Sequence, residues 1–128
     1  MDVPHPLTVS EVAERIGLSA HTLRWYERIG LLDQVARDAP GHRRYTRPDI
    51  EWLLLLTRLR ATGMPVRDMQ RYADLVRAGD STSQERRELM EAHRDRVEEH
   101  IAELSHHLAV IDHKVRVYRM HEQQLRVG

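Results

Sequence analysis

Residues 9–32 read VSEVAERIGLSAHTLRWYERIGLL, and the spacing of apolar side chains in this stretch decides how the chain begins. Val9, Val12, Ala13 and Ile16 recur at three- and four-residue intervals, which puts them on one face of a helix. Ser10 is the expected N-cap of that helix and Gly17 its stop, since Ser accepts from open amides and Gly tolerates the left-handed conformation of a helix end. Gly17-Leu18-Ser19 then forms a three-residue turn, with Ser19 placed to cap a second helix. On that second helix Leu23 points inward, while His21, Arg24, Trp25 and Arg28 point outward. Two short helices joined by a tight Gly-containing turn make the helix-turn-helix pattern, whose second helix lies in a DNA major groove. The same pattern also serves plain packing, and the charge around it decides between the two.

The chain has 128 residues, enough for one small domain or a compact domain with an extension. Lys plus Arg equals Asp plus Glu at 20 each, so any footprint for a nucleic acid must be local. It is local. Six Arg lie from Arg24 to Arg47 against Glu27, Asp33 and Asp38, and four from Arg58 to Arg71 against Asp68. Arg outnumbers Lys nineteen to one, which suits bidentate contacts with phosphate or guanine and also follows from a GC-rich genome. The chain has no cysteine, which excludes disulfides, thiolate metal sites and thiol switches. No apolar run approaches a membrane span and the first residues lack the pattern of a signal peptide, so a cytoplasmic protein is expected. A Gly-rich phosphate loop, an H-E-x-x-H and a Ser or Cys nucleophile motif are all missing, which sets an enzyme aside.

From Leu32 to Tyr45 helical periodicity stops, and Asp33, Asp38, Pro40 and Gly41 intervene. Ala39-Pro40-Gly41 supplies a turn and His42-Arg43-Arg44-Tyr45 a returning strand, with Arg43 and Tyr45 on one face. A short basic hairpin after a helix-turn-helix is a wing that presses on the phosphate backbone; a solvated hairpin is the alternative. A third helix is expected from Thr46, where Thr46-Arg47-Pro48-Asp49 has the form of a capping box. It runs through Trp52 and four consecutive leucines, 53–56, which occupy every face of one turn and predict burial between partners. Gly63 ends it. Pro65 opens a fourth helix, with Val66, Met69, Tyr72, Ala73 and Val76 at helical spacing up to Gly79. Arg67 and Arg71 on that helix, with Arg60, make a second phosphate-contacting surface or are simply solvated.

Ser81-x-x-Gln84 and Thr82-x-x-Glu85 both have capping-box form, and no Gly or Pro follows until past His121. One helix of roughly 55 Å is predicted at the standard rise. Val97, Ile101, Leu104, Leu108, Ile111, Val115 and Tyr118 alternate gaps of four and three along it, a heptad seam. So narrow a seam cannot bury itself, and a second copy of the chain is the symmetric solution; folding back on its own domain is the alternative. Beside the seam, His93, His100, His107 and His121 share one flanking heptad position, with Lys114 in the remaining slot. Such a row has the chemistry of a metal or pH sensor, and Glu103-x-x-His106 has a spacing seen in di-iron bundles, although those need two copies. A solvated flank is the simpler reading, and no metal or other cofactor is expected. The domains expected are residues 1–79, a winged helix-turn-helix head; 80–122, a dimerisation helix; and 123–128, a short tail.

The motifs T8-V-S-E-V-A-E-R-I-G-L-S, T22-L-R-W-Y-E-R-I-G-L-L, G41-H-R-R-Y, D49-I and R60-A-T-G-M-P-V-R-D-M, in this order, resemble the MerR family of bacterial transcription regulators over residues 7–78. The resemblance implies a mostly α fold, with a winged helix-turn-helix head and a long helix that forms an antiparallel coiled coil in a homodimer. It implies that the chain binds double-stranded promoter DNA and bends and untwists an overlong spacer so that RNA polymerase engages both promoter elements, a regulation through DNA shape. By matching positions, Thr22, Arg24 and Tyr26 contact DNA from the recognition helix, with Tyr26 also directed toward the core side of that helix. Arg43 and Tyr45 contact it from the first wing, beside Arg44, and Arg67 belongs to a second wing. His21 and Arg28 join them from the outward face read above. Trp25 and His42 stand where the family usually has Tyr, and Pro65 where it has Ser. Without cysteine the usual metal, redox and aldehyde sensing of the family cannot run, and the sequence assigns no small-molecule effector. An architectural DNA-binding protein with the same head and no effector is the alternative.

Overall fold

The computed structural model describes residues 6–33 and 36–127. In chain order the elements are α1 (Val9–Ile16), α2 (Ala20–Arg28), α3 (Arg47–Ala61), α4 (Val66–Arg77), a 3-10 turn at Asp80–Thr82 and α5 (Ser83–Val127). The protein is mostly α, with a long C-terminal helix. Packing divides it into two units, one ending at Leu89 and one beginning at Met90.

In the first unit the N-cap of α1 is Thr8, where the sequence predicts Ser10. The Thr8 hydroxyl accepts from the Glu11 N–H at 3.1 Å and the Glu11 carboxylate accepts from the Thr8 N–H at 3.2 Å. This reciprocal pair satisfies two open donors, whereas Ser10 lies already inside the first turn. Gly17 ends the helix at φ 81°, its N–H reaching the Ala13 carbonyl at 2.8 Å. Ser19 caps α2 as expected, accepting from the Thr22 N–H at 3.0 Å. Asp49 holds the start of α3 by accepting from the Thr46 N–H at 2.9 Å and its hydroxyl at 3.0 Å.

The core gathers Val12 of α1, Leu23 and Tyr26 of α2, Ile50, Leu53, Leu56 and Leu59 of α3, and Met69 and Ala73 of α4, closed by Leu7, Leu31, Leu32, Tyr45 and Met64. Of the four consecutive leucines only Leu53 and Leu56 are buried; Leu54 and Leu55 are half-buried, because α3 packs mainly along one face. The expected returning strand is reduced to two antiparallel bridges, Leu7 with Tyr45 and Arg37 with Arg43. The turn between Arg37 and Arg43 closes with the Gly41 N–H on the Asp38 carbonyl at 2.9 Å and the Asp38 N–H on the His42 carbonyl at 3.0 Å. Gly41 sits at φ 87°, the left-handed residue that a three-residue hairpin loop requires. Thr82, expected as a cap for α5, is buried, and its hydroxyl donates instead to the Leu75 carbonyl at 2.5 Å and the Gly79 carbonyl at 2.8 Å. It thereby satisfies the Leu75 carbonyl, which the end of α4 leaves open. The first turns of α5 belong to this unit, with Arg71 and Glu85 paired at 3.5 Å.

The second unit is the remainder of α5. It stays helical to Val127, where the sequence predicts a tail from 123, and every described residue from 98 onward is exposed. Ile101, Leu104, Leu108, Ile111, Val115 and Tyr118 are all exposed, and Leu125 lies seven residues beyond Tyr118 in the same register. Of the histidine row, His93 is buried while His100, His107 and His121 are exposed. No helix among the described residues is long and apolar enough to cross a membrane.

Candidate nucleic-acid interface

The outward face of α2 carries His21, Arg24 and Arg28, all exposed, while Thr22 and Trp25 are half-buried. The Thr22 hydroxyl stands 2.9 Å from that of Ser19, so it is shared with the cap. Tyr26 is only 3% exposed and belongs to the core, which corrects its expected place on the contacting surface. It follows Leu23 by three residues, and that spacing returns to the same helix face. Tyr45 is corrected in the same way, at 0% exposure. Arg43, expected on the same face, reaches Glu27 of α2 and keeps part of its side chain exposed. Burial pushes both phenols above their ordinary pKa; Arg60 opposes this at Tyr26, and Arg43 and Arg24 oppose it at Tyr45.

Each of the hairpin arginines is held. Arg43 donates through Nε to the Glu27 carboxylate at 2.6 Å, with the two side chains 22% and 12% exposed. Arg44 pairs with Asp38 at 2.8 Å, and Arg37 donates to the Gly41 carbonyl at 2.8 Å. Burial pushes the Asp38 carboxyl up, but the His42 N–H and the Arg44 guanidinium outweigh it and hold the group below its ordinary pKa. Two adjoining clefts result. One, of about 400 Å³, lies between the start of α1 and the hairpin and is bordered by Ser10, Arg24, Arg37, His42, Arg43 and Arg44. The other, of about 460 Å³, is bordered by Arg24, Glu27, Arg28 and Arg43. Four of the predicted residues, Arg24, Arg28, Arg43 and Arg44, are thus brought together. Arg67 is exposed in the first turn of α4 and borders neither cleft. Clustered guanidiniums of this kind suit phosphate oxygens, which they bind with paired, charge-assisted hydrogen bonds.

Sequence reasoning missed what fixes α2 in place. Three successive carbonyls after that helix are each bonded by a side chain from α3 or α4. Ile29 accepts from Gln70 Nε2 at 3.0 Å, Gly30 from Arg77, and Leu31 from Trp52 Nε1 at 2.6 Å. Arg77 also pairs with Asp33 at 2.6 Å, and the Trp52 ring stacks on Tyr72 with centroids 5.6 Å apart. The partners lie 21 to 47 residues apart, beyond any local pattern.

A family model described as MerR HTH family regulatory protein matches residues 7–75, and a second, described as MerR, DNA binding, matches residues 50–114. The chain belongs to the MerR family. That is a family of transcription regulators and not of enzymes. An HTH-type transcriptional regulator of Haemophilus influenzae is 48% identical over 84 residues, which are 66% of this chain and 62% of that protein. AdhR, an HTH-type transcriptional regulator of Bacillus subtilis, is 34% identical over 90 residues, 70% of this chain and 64% of that protein. The matches therefore span somewhat less than two thirds of these relatives. Among solved structures this MerR family chain is similar to HiNmlR, described as a MerR family regulator lacking the sensor domain, bound to promoter DNA. The TM-score is 0.82 and the identity 42%, over 89% of this chain and 90% of that one.

Proposed function

We infer that the chain acts in the cytoplasm as a homodimer on double-stranded promoter DNA and regulates transcription by changing the shape of that DNA. The observation that carries this reading is the convergence of Arg24, Arg28, Arg43 and Arg44 on two adjoining clefts between α2 and the hairpin. His21, Thr22 and Arg24 face base edges and Arg28 the flanking phosphates. Arg43 and Arg44 grip backbone from the first wing and Arg67 from the second, while Tyr26 and Tyr45 support them from below. The residues up to 79 serve as the head, and the seam from Val97 to Tyr118, continued by Leu125, pairs two copies in antiparallel fashion. HiNmlR, bound to promoter DNA, supports this reading because the similarity to it extends over nearly the whole of both chains. Bending a site costs on the order of 1–6 kcal/mol, and contacts on both sides of the bend offset it, which is the use of two heads with two wings each. RNA polymerase then engages the reshaped spacer.

Recovering the DNA bound by the protein across its genome tests the reading. The expected result is a small set of palindromic sites inside promoters whose spacer is longer than usual. Sites scattered without regard to promoters would favour an architectural role, and no enriched site would overturn the proposal.

A further inference from the structure

Glu27 is an acid in a place where a surface for DNA should have none. It borders the cleft formed with Arg24, Arg28 and Arg43, and among the described residues it is the single carboxylate lining either basic cleft. A carboxylate there repels phosphate, so its presence calls for a compensating use. Its side chain is 12% exposed and takes the Arg43 Nε–H at 2.6 Å, across 16 residues of chain, tying the wing to α2.

We propose that Glu27 is a positioning residue that sets DNA specificity: it fixes the Arg43 guanidinium in register with Arg24 and Arg28, and withholds it from phosphates that arrive out of register. This rests on the DNA-binding reading above. A guanidinium is a planar fork, so holding Nε fixes the direction in which its terminal nitrogens donate. A phosphate in register takes those donors with the pair intact. A phosphate out of register must pull Arg43 away and leave a mostly buried carboxylate without its counter-charge, which is strongly unfavourable. The cost falls on the wrong DNA alone.

Glu27→Gln keeps the shape and removes the charge. Its binding to an operator duplex recovered as above, and to a scrambled duplex of equal length, is measured by fluorescence anisotropy over a range of salt concentrations. The expected result is at least threefold tighter binding to the scrambled duplex, a salt slope on that duplex steeper by about two per dimer as the released arginines meet phosphates, and an operator preference reduced about tenfold. Adding Arg43→Gln should abolish the gain on scrambled DNA. An operator preference equal to wild type, or equal losses on both duplexes, would overturn the proposal. Should Glu27→Gln fail to fold, Glu27→Asp, which keeps the charge but is one methylene too short for the 2.6 Å contact, must lower the preference in the same direction. A wild-type protein that binds neither duplex sinks the DNA-binding reading; wild-type binding with an unmoved Glu27→Gln preference sinks this inference by itself.

Discussion

Arg24 is exposed on α2 and borders both basic clefts, and the proposed function makes its guanidinium a DNA contact. Removing one such contact typically costs ~1–3 kcal/mol. Arg24→Ala is therefore expected to weaken operator binding by about tenfold or more at matched salt, where 1.4 kcal/mol is a factor of ten. The oligomeric state in sedimentation should not change, since Arg24 lies far along the chain from α5. Asp38 has a different dependence. Its pKa is held below the ordinary value because, against the opposing effect of burial, the His42 N–H and Arg44 favour the charged form. A group depressed in the folded state contributes stability that is present above its unfolded pKa and is lost as pH falls through the folded one. The hairpin turn should thus loosen only as the pH drops below the reference value of 3.8, seen as faster exchange of the His42 amide, and Asp38→Asn should remove that transition.

At the scale of elements, the hold on α2 depends on single donors from α3 and α4. Trp52→Phe keeps an aromatic ring to stack on Tyr72 but leaves the Leu31 carbonyl without the indole N–H that it accepts at 2.6 Å. Loss of that bond should destabilise the head by about 1–3 kcal/mol, read from the denaturant midpoint at unchanged slope. None of this was visible in the sequence, because Ile29, Gly30 and Leu31 meet their partners only after α3 and α4 have packed. Local signals fared better. Helices α1 to α5 follow from apolar spacing and turn residues, and Thr8-x-x-Glu11 has the form of a capping box, a stronger start signal than Ser10 alone. Thr82 had the same signature and is used differently, since its hydroxyl reaches back to α4. The inward placement of Tyr26 was readable from its three-residue distance to Leu23. The pairing of Arg43 with Glu27 was not, as strand alternation gives a face but not what that face meets. In α5 the exposed Leu104 and Leu108 lie in mid-seam. Replacing both with Asp puts charges into any helix–helix contact there, and the expected outcome in sedimentation is a monomer; a dimer that persists would mean that the seam lies elsewhere.

At the scale of the whole molecule, 20 basic and 20 acidic residues leave no net charge to draw the protein to DNA, so affinity must arise from the few arginines placed together. Salt dependence measures how many act. With Arg28, Arg43, Arg44 and Arg67 each meeting one phosphate in each of two heads, the slope of log K against log salt would approach about −7, at roughly −0.9 per contact. A neutral protein with no organised surface would give a slope near zero. Arg67 decides whether the second wing takes part, since it borders neither cleft yet stands exposed at the start of α4. If it does, Arg67→Gln should make the slope shallower by about two per dimer, because a two-fold axis doubles every contact. An unchanged slope would confine the interface to α2 and the hairpin. The consequence for mechanism is direct. A grip limited to one patch per head can anchor the protein but has little leverage on the DNA between the heads, whereas two patches per head can hold a bend. Shortening the promoter spacer base pair by base pair should then produce transcription that no longer needs the protein, and the Arg67→Gln variant should fail at the natural spacing while still occupying the site.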